Sequence, residues 1–441
     1  MPDRRIRLGV LAAFLFAIII GCWLYLRGGQ AELSVDAVTG PKPQIVEPEQ
    51  RLVPTVSIAK AVGWPAGAKP TPAAGLQVKP FAENLIHPRW MLVLSNGDVL
   101  VAETNGPPRK GGGVRGWVMR TVMGRVGAGG SSANRITLLR DTDGDGVADQ
   151  RSVLLKGLNS PFGMALVGDQ LYVGNHNALV RVPFKIGQTR IDAKPEKLLN
   201  LPPGGHWTRN VVANADGSRL YVAIGSLTNI ADQGLEAEAN RANILELDPK
   251  NPHDYRIYAA GLRNPVGMAW EPTSGMLWTV VNERDELGGD LVPDYLTAVQ
   301  FGGSYGWPWY YWSGYTDSRV PEPDQDMRQY LTRPDYALGP HVAALGLSFA
   351  KGASLGPRFT DGAFIGLHGS WNRKPLSGYK VIFVPFKNGR PAGKPVDILT
   401  GFLNADEQAQ GRPVGVVLDS KGALLVADDV GNKIWRVTAK K

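Results

Sequence analysis

One cysteine, Cys22, stands in 441 residues. A disulfide within the chain is therefore excluded, and so is a CxxCH haem attachment. If the chain passes electrons on, a separate partner must carry the haem. No block of five or more Lys and Arg occurs, although the net charge is +8. A nucleic-acid patch is not indicated. The spread-out positive balance suits an acidic small ligand or an anionic membrane surface. Gly 54 and Pro 33 make up about a fifth of the chain, which is high for a helical protein and ordinary for a turn-rich β protein.

The N-terminus reads MPDRRIRLGVLAAFLFAIIIGCWLYLRGG. Arg4, Arg5 and Arg7 precede an uncharged run from Leu8 to Leu26. That run is long enough for a membrane helix, and the basic residues before it orient the rest of the chain outward. Residues 1–29 are thus expected to anchor the chain on the periplasmic side of a bacterial inner membrane. Ile19-Ile20-Gly21-Cys22 also fits a lipoprotein cleavage box, and ordinary signal cleavage is a third reading. Residues 30–75, rich in Pro, Ala and Val, read as a linker.

From Gly75 onward one unit recurs: an apolar strand, a Gly-containing turn and a second apolar strand. Its instances are MLVLSNGDVLVAE, MALVGDQLYVGN, VVANADGSRLYVAIG, MAWEPTSGMLWTVVNE, FTDGAFIGLHG and VVLDSKGALLVADD. The turns contain NG, GD, DG, SG and KG, as tight hairpins require. Further strands such as ALVRVPF, ANILELD, YKVIFVPF and KIWRVTA follow several of them. Six such units predict an all-β fold, a six-bladed β-propeller over residues 76–441. A sandwich would not explain six copies of one hairpin.

Each hairpin follows a polar or Pro-bearing segment: IHPRWM, NSPFGM, GGHWTRNVV, LRNPVGM, HVAALGLSF and GRPVGVV. In a propeller these segments converge on the central channel. They bring Arg89, His206, Arg209, Arg263, Asn264, His341 and Arg412 to one face. LHGSWNRK adds His368, Ser370, Arg373 and Lys374 after an inner strand. A ring of cations with an amide suits a planar ligand bearing several negative charges, since Arg offers a fork for carboxylates. One GLRNP alone would equally suit a turn with a surface Arg.

These stretches, together with VVNERDELGGDLVPDYL and GGSYGWP, resemble the quinoprotein glucose/sorbosone dehydrogenases. HGSWNR makes the likeness greatest to the sorbosone and pyranose dehydrogenase branches. The resemblance implies a six-bladed propeller holding pyrroloquinoline quinone (PQQ) and calcium. By it, His206 is the catalytic base, Arg263 and Asn264 contact the cofactor, and Arg263 stabilises its reduced form. Arg412 grips a cofactor carboxylate. The family has a Lys on the fifth hairpin where this chain reads FIGLHGSWNRK, so the cation there is expected from Arg373 or Lys374. The loop VVNERDELGGD matches the segment whose backbone carbonyls hold calcium, with Asn282, Glu283 and Arg284 on it and Asp290 towards the substrate. Relatives have Gly-Pro at Glu283-Arg284.

A second metal signal is DTDGDGVAD. Asp141, Asp143, Asp145 and Asp149 fall at positions 1, 3, 5 and 9 of a calcium loop, with Gly146 at the sharp turn and the Val147 carbonyl in line. Position 12 is Ser152, so the closing Glu is missing. The aromatic segment GGSYGWPWYYW suits sugar stacking or blade packing, and Tyr305 and Trp307 are placed in packing.

The expected function is sugar oxidation, with electrons leaving to a cytochrome or a membrane quinone. A calcium-dependent lactonase on the same architecture would need carboxylates clustered in the channel. A propeller that only binds sugars or proteins is the remaining reading.

Overall fold

In the computed structural model, the described residues are 13–21, 29–51, 55–107, 124–127 and 130–440. Their strands form the six blades of a β-propeller. The first blade comprises Pro88–Val93, Val99–Glu103, Arg135–Arg140 and Gln150–Lys156, and the second Met164–Val167, Gln170–Asn175, Ala178–Pro183 and Glu196–Asn200. Val211–Ala213, Leu220–Ile224, Asn243–Asp248 and Asn251–Ala260 make the third. Pro265–Trp270, Leu277–Val281, Pro293–Ala298 and Tyr336–Pro340 make the fourth. The fifth is built on Ala344–Phe349, Gly362–Leu367, Lys380–Lys387 and Val396–Thr400. The sixth joins Pro413–Leu418, Leu424–Asp428 and Lys433–Ala439 to a strand from the other end of the domain, Leu76–Ala82. That pairing runs from Leu76↔Ala439 to Ala82↔Ile434 and closes the ring without a covalent staple.

The second strands Val99–Glu103, Leu220–Ile224, Leu277–Val281 and Leu424–Asp428 are buried at every position. Blades cover them on both sides, so they read as apolar runs rather than alternations. The innermost strands carry glycines for a different reason. A Cβ on Gly163 would meet Val211 N at 2.3 Å, on Gly267 Leu347 N at 2.8 Å, and on Gly346 Val414 O at 2.2 Å. Neighbouring blades approach backbone to backbone at these points, and only glycine leaves room.

Each first strand starts at one end of the channel. The loops after second and fourth strands therefore open on that same face. The loop between third and fourth strands opens on the other, and Asp141–Asp149 lies there, between Arg135–Arg140 and Gln150–Lys156.

The segment read as a linker is seated on the channel face. Ala31 N donates to Lys374 O, Glu49 N to Leu287 O, Ser57 N to Trp371 O and Val62 N to Ala409 O. Trp64 Nε1 donates to Asp428 Oδ2 at 2.6 Å. Residues 29–51 and 55–64 thus lie as a strap across the fourth, fifth and sixth blades. Residues 13–21 are an exposed helix. Among the described residues no helix is long and apolar enough to cross a membrane. The rest of the Leu8–Leu26 run lies outside the described residues.

Candidate active site

His206 sits on the segment leading into the third blade. Its Nδ1 lies 2.9 Å from Ser226 O and 3.0 Å from Ser226 Oγ. A carbonyl only accepts, so Nδ1 carries the proton and Nε2 is the basic nitrogen. Arg209, placed by the sequence among the cofactor ligands, works behind it. Its fully buried guanidinium donates to His206 O, Thr208 O and Pro202 O. Burial, and then the charge of Arg241, push it down to about 9. Arg209 holds the His206 loop through both terminal nitrogens, and its Nε is buried without a partner.

Gly225 brings His206 and Asn264 together. A Cβ there would lie 2.3 Å from Asn264 Oδ1 and 2.6 Å from His206 Cβ. The Asn264 Oδ1 atom is buried without a partner.

Arg263 anchors the next sector. Nη1 donates to Glu283 O at 2.6 Å and to Asn282 O at 3.3 Å. Nη2 reaches Asn229 Oδ1 at 2.8 Å and Asp285 Oδ2 at 3.4 Å. Of the carbonyls that the resemblance assigned to calcium, at Glu283 and Arg284, the first accepts from the Arg263 guanidinium, as does that of Asn282. The Arg284 side chain points away, to Pro308 O, Tyr310 O and Asp317. Asp285 is the carboxylate of this sector. Burial would raise its pKa, but the hydrogen bond from His341 and the charges of Arg263, His341 and His206 hold it below the usual range.

His341 touches two acceptors, Asp285 Oδ1 at 3.2 Å and Gly288 O at 3.0 Å. Both ring nitrogens must donate, which makes it an imidazolium. Burial opposes that charge, yet the Asp285 contact raises its pKa overall. His341 was expected to bind a cofactor; both of its donors are spent on the 285–288 loop. Asp294 pins the same loop, accepting from Glu283 N at 2.8 Å and Ala343 N at 2.7 Å. Burial pushes it up to about 7.

Across the channel, Asp429 gathers Arg89, His368 at 2.9 Å and His87 at 3.4 Å. Burial disfavours the Asp429 charge, but these groups hold it well below the carboxylate range. His368 donates as a neutral ring, pushed down to about 4 chiefly by burial. Arg89 lies 5.4 Å over Trp207, the neighbour of His206. Arg412 rests 4.9 Å over Tyr379 and donates to Ala59 O of the strap at 3.2 Å. The Nε atoms of Arg89 and Arg412, Oδ1 of Asp429 and Oε1 of Glu283 are buried without partners.

Three expected ligands are placed elsewhere. Arg373 donates to Gly289 O, Pro375 O and Asp290 Oδ1. Lys374 is exposed and gives its carbonyl to the strap. Asp290 accepts Glu32 N at 2.6 Å and Leu33 N at 3.1 Å, so it anchors the strap rather than facing a substrate. Tyr305 and Trp307 are buried in packing, Trp307 Nε1 donating to Asn229 O.

On the far face, Asp141, Asp143 and Asp145 bring ligand atoms within 4.8 Å of one another. Gly144 N and Gly146 N donate to Asp141, and Val147 N to Asp145. Asp149 turns to Thr142. Among the described residues no such carboxylate group lines the channel.

Sequence reasoning missed Asn229, Asp285 and Asp429. Asp285 and Asp429 stand in ERDEL and ADD, where the neighbouring charges give no sign that they face the channel. Asn229 carries no signal in SLTNIAD.

The sequence profile of the TrAA12-like family matches residues 70–293 and 314–440. A protein of Borreliella burgdorferi called uncharacterized is 30% identical over 238 residues, covering 54% of this chain and 61% of that one. The chain thus spans less than two thirds of that relative's length. A PQQ-dependent sugar dehydrogenase of Hypocrea jecorina is 24% identical over 428 residues, 85% of this chain and 90% of that one. The solved holo form of the pyranose dehydrogenase PQQ domain of Coprinopsis cinerea superposes with a TM-score of 0.67 at 19% identity, covering 87% of this chain and 100% of that one. This last likeness is one of fold.

Proposed function

The chain belongs to the TrAA12-like family, and from that membership we propose that it is a PQQ- and calcium-dependent dehydrogenase that oxidises a sugar. The observation that carries the reading is the meeting of His206 and Asn264 across Gly225, with the His206 tautomer fixed by Ser226.

The residues fit the cofactor. Arg89 Nε, Arg412 Nε and Asn264 Oδ1 are buried polar atoms lacking partners, which is costly unless a ligand satisfies them. Two guanidinium groups and an amide match a flat molecule edged with carboxylates. The Glu283 and Arg284 carbonyls, on the loop assigned to calcium, are hard oxygen donors of the kind that ion takes, and the Glu283 carbonyl would have to leave the Arg263 guanidinium to reach it. The Asp141, Asp143 and Asp145 loop fits a second, structural calcium with the Val147 carbonyl, Asp149 supplying at most an outer contact.

When bound, PQQ supplies a carbonyl carbon that accepts hydride, and calcium the Lewis acidity that polarises it. The chain does the rest. His206 Nε2 takes the proton of the sugar hydroxyl as hydride leaves the carbon that bears this oxygen, and the C–O bond becomes a carbonyl. Asp285, kept ionised, favours the imidazolium that forms. Arg412 and Arg89 orient the carboxylated edge, and Arg263 places positive charge where negative charge develops. Electrons then pass to a separate cytochrome or membrane quinone. Arg4, Arg5 and Arg7 before the uncharged run support anchoring on the periplasmic side of the membrane.

A dye-linked assay over a panel of aldoses, pyranoses and sorbosone tests the reading. Turnover should require both PQQ and calcium. Absence of turnover with every sugar, in protein that binds the cofactor, would defeat it.

A further inference from the structure

We infer that the face of the propeller bearing the active site lies against a lipid bilayer. This deepens the anchored-dehydrogenase reading and rests on it. The anchor run ends at Leu26, three residues before Gly29. Three Cα–Cα steps span at most about 11 Å. Gly29 is buried, and its carbonyl accepts Thr55 Oγ1 at 3.2 Å. The next residues are fixed at the channel mouth, by Ala31 N on Lys374 O at 2.7 Å and by Asp290 on the amides of Glu32 and Leu33. A chain leaving the membrane at Leu26 is therefore tied to the mouth almost at once, with too little slack to turn the other face towards the lipid.

The surface of the mouth suits that neighbour. The strap presents Val56 at 56% exposure and Val62 at 45%, and Trp371 stands beside them at 42%. Ser57 N on Trp371 O at 2.8 Å sets Val56 and Trp371 next to each other. Exposed Lys60 and Lys374 accompany them. Valines, a half-exposed Trp and lysines match the boundary between headgroups and acyl chains. Single exposed apolar side chains such as Ile186 also occur on the far face, where the Asp141 loop is paired with lysines, Lys421 Nζ lying 3.4 Å from Asp141 Oδ2 and Lys79 Nζ donating to Asp145 O.

The test uses the full chain with Cys22 retained. A fluorescent non-natural amino acid replaces Val56, or Val62 as a second mouth position, or Lys185 on the far face. Each protein is floated with phosphatidylethanolamine/phosphatidylglycerol vesicles carrying a nitroxide on the headgroup. The chain should float, and labels at 56 and 62 should be quenched several-fold more than the label at 185. A floating chain quenched equally at all three, or more at 185, overturns the orientation alone. A chain that stays with the soluble fraction overturns the anchor and the orientation with it. Sugar oxidation, assayed in detergent on the same samples, reports on the catalytic reading independently of either result.

Discussion

The Nδ1 atom of His206 lies 2.9 Å from the carbonyl oxygen of Ser226, and the contact leaves Nε2 as the base. His206→Ala should lower kcat by roughly 10²- to 10⁴-fold, the range for a positioned acid–base group. PQQ affinity, read by absorbance titration, should stay within a few-fold of wild type. Turnover that persists in the variant would show that another group takes the proton.

Gly225 is the second test. Its Cβ in Gly225→Ala would press on Asn264 Oδ1 and on His206 Cβ. Overpacking of this kind costs about 1–3 kcal/mol of stability. A displacement of about 1 Å at the base costs about 10²-fold in rate. The variant should therefore fold, unfold in urea somewhat earlier, and lose far more activity than stability. An active Gly225→Ala protein would mean that the two side chains do not work together.

Stability should depend on pH through His368. In the folded chain it stays neutral down to about 4, while the unfolded residue takes a proton near 6.5. Between those values the unfolded state binds the extra proton. The contribution is whole above about pH 6.5 and is lost as the pH falls towards about 4. Between pH 7 and 4.5, wild type should lose about 2–3 kcal/mol more than His368→Gln in urea unfolding. Equal losses would show that His368 is protonated in the fold.

Calcium on the far face should stabilise without touching catalysis. It should raise the thermal midpoint in proportion to the logarithm of its concentration above Kd. Asp145→Ala should remove most of that rise and leave kcat at saturating calcium unchanged. A midpoint rise undiminished in the variant would place the stabilising ion elsewhere.

The ring of blades was legible because each blade repeats one hairpin, whereas the close approaches that Gly163, Gly267 and Gly346 permit were visible only in the structure. The closing strand LQVKPFA was not, since its polar residues and Pro80 resemble the linker before it. The strap escaped notice because it is held largely through its own backbone groups, with single side chains such as Trp64 adding to them, which leaves no residue pattern. His206, Arg263, Asn264 and Arg412 could be gathered from sequence because propeller topology sends their segments to one face. Arg209 and Arg373 read alike from sequence, yet both are spent on carbonyls. Nothing in a sequence distinguishes a guanidinium that faces a channel from one that props a loop. The charges beside Asp285 and Asp429 give no sign that they face the channel, although buried cations need carboxylates among them.

The most direct test is an absorbance titration of the cofactor-free protein with PQQ in calcium. One PQQ should bind per chain, its spectrum should bleach when an oxidisable sugar is added, and Arg412→Gln should weaken binding by roughly 10- to 100-fold, as loss of a charged hydrogen bond does. Binding that is absent, or that ignores Arg412 and does not respond to sugar, would contradict the account.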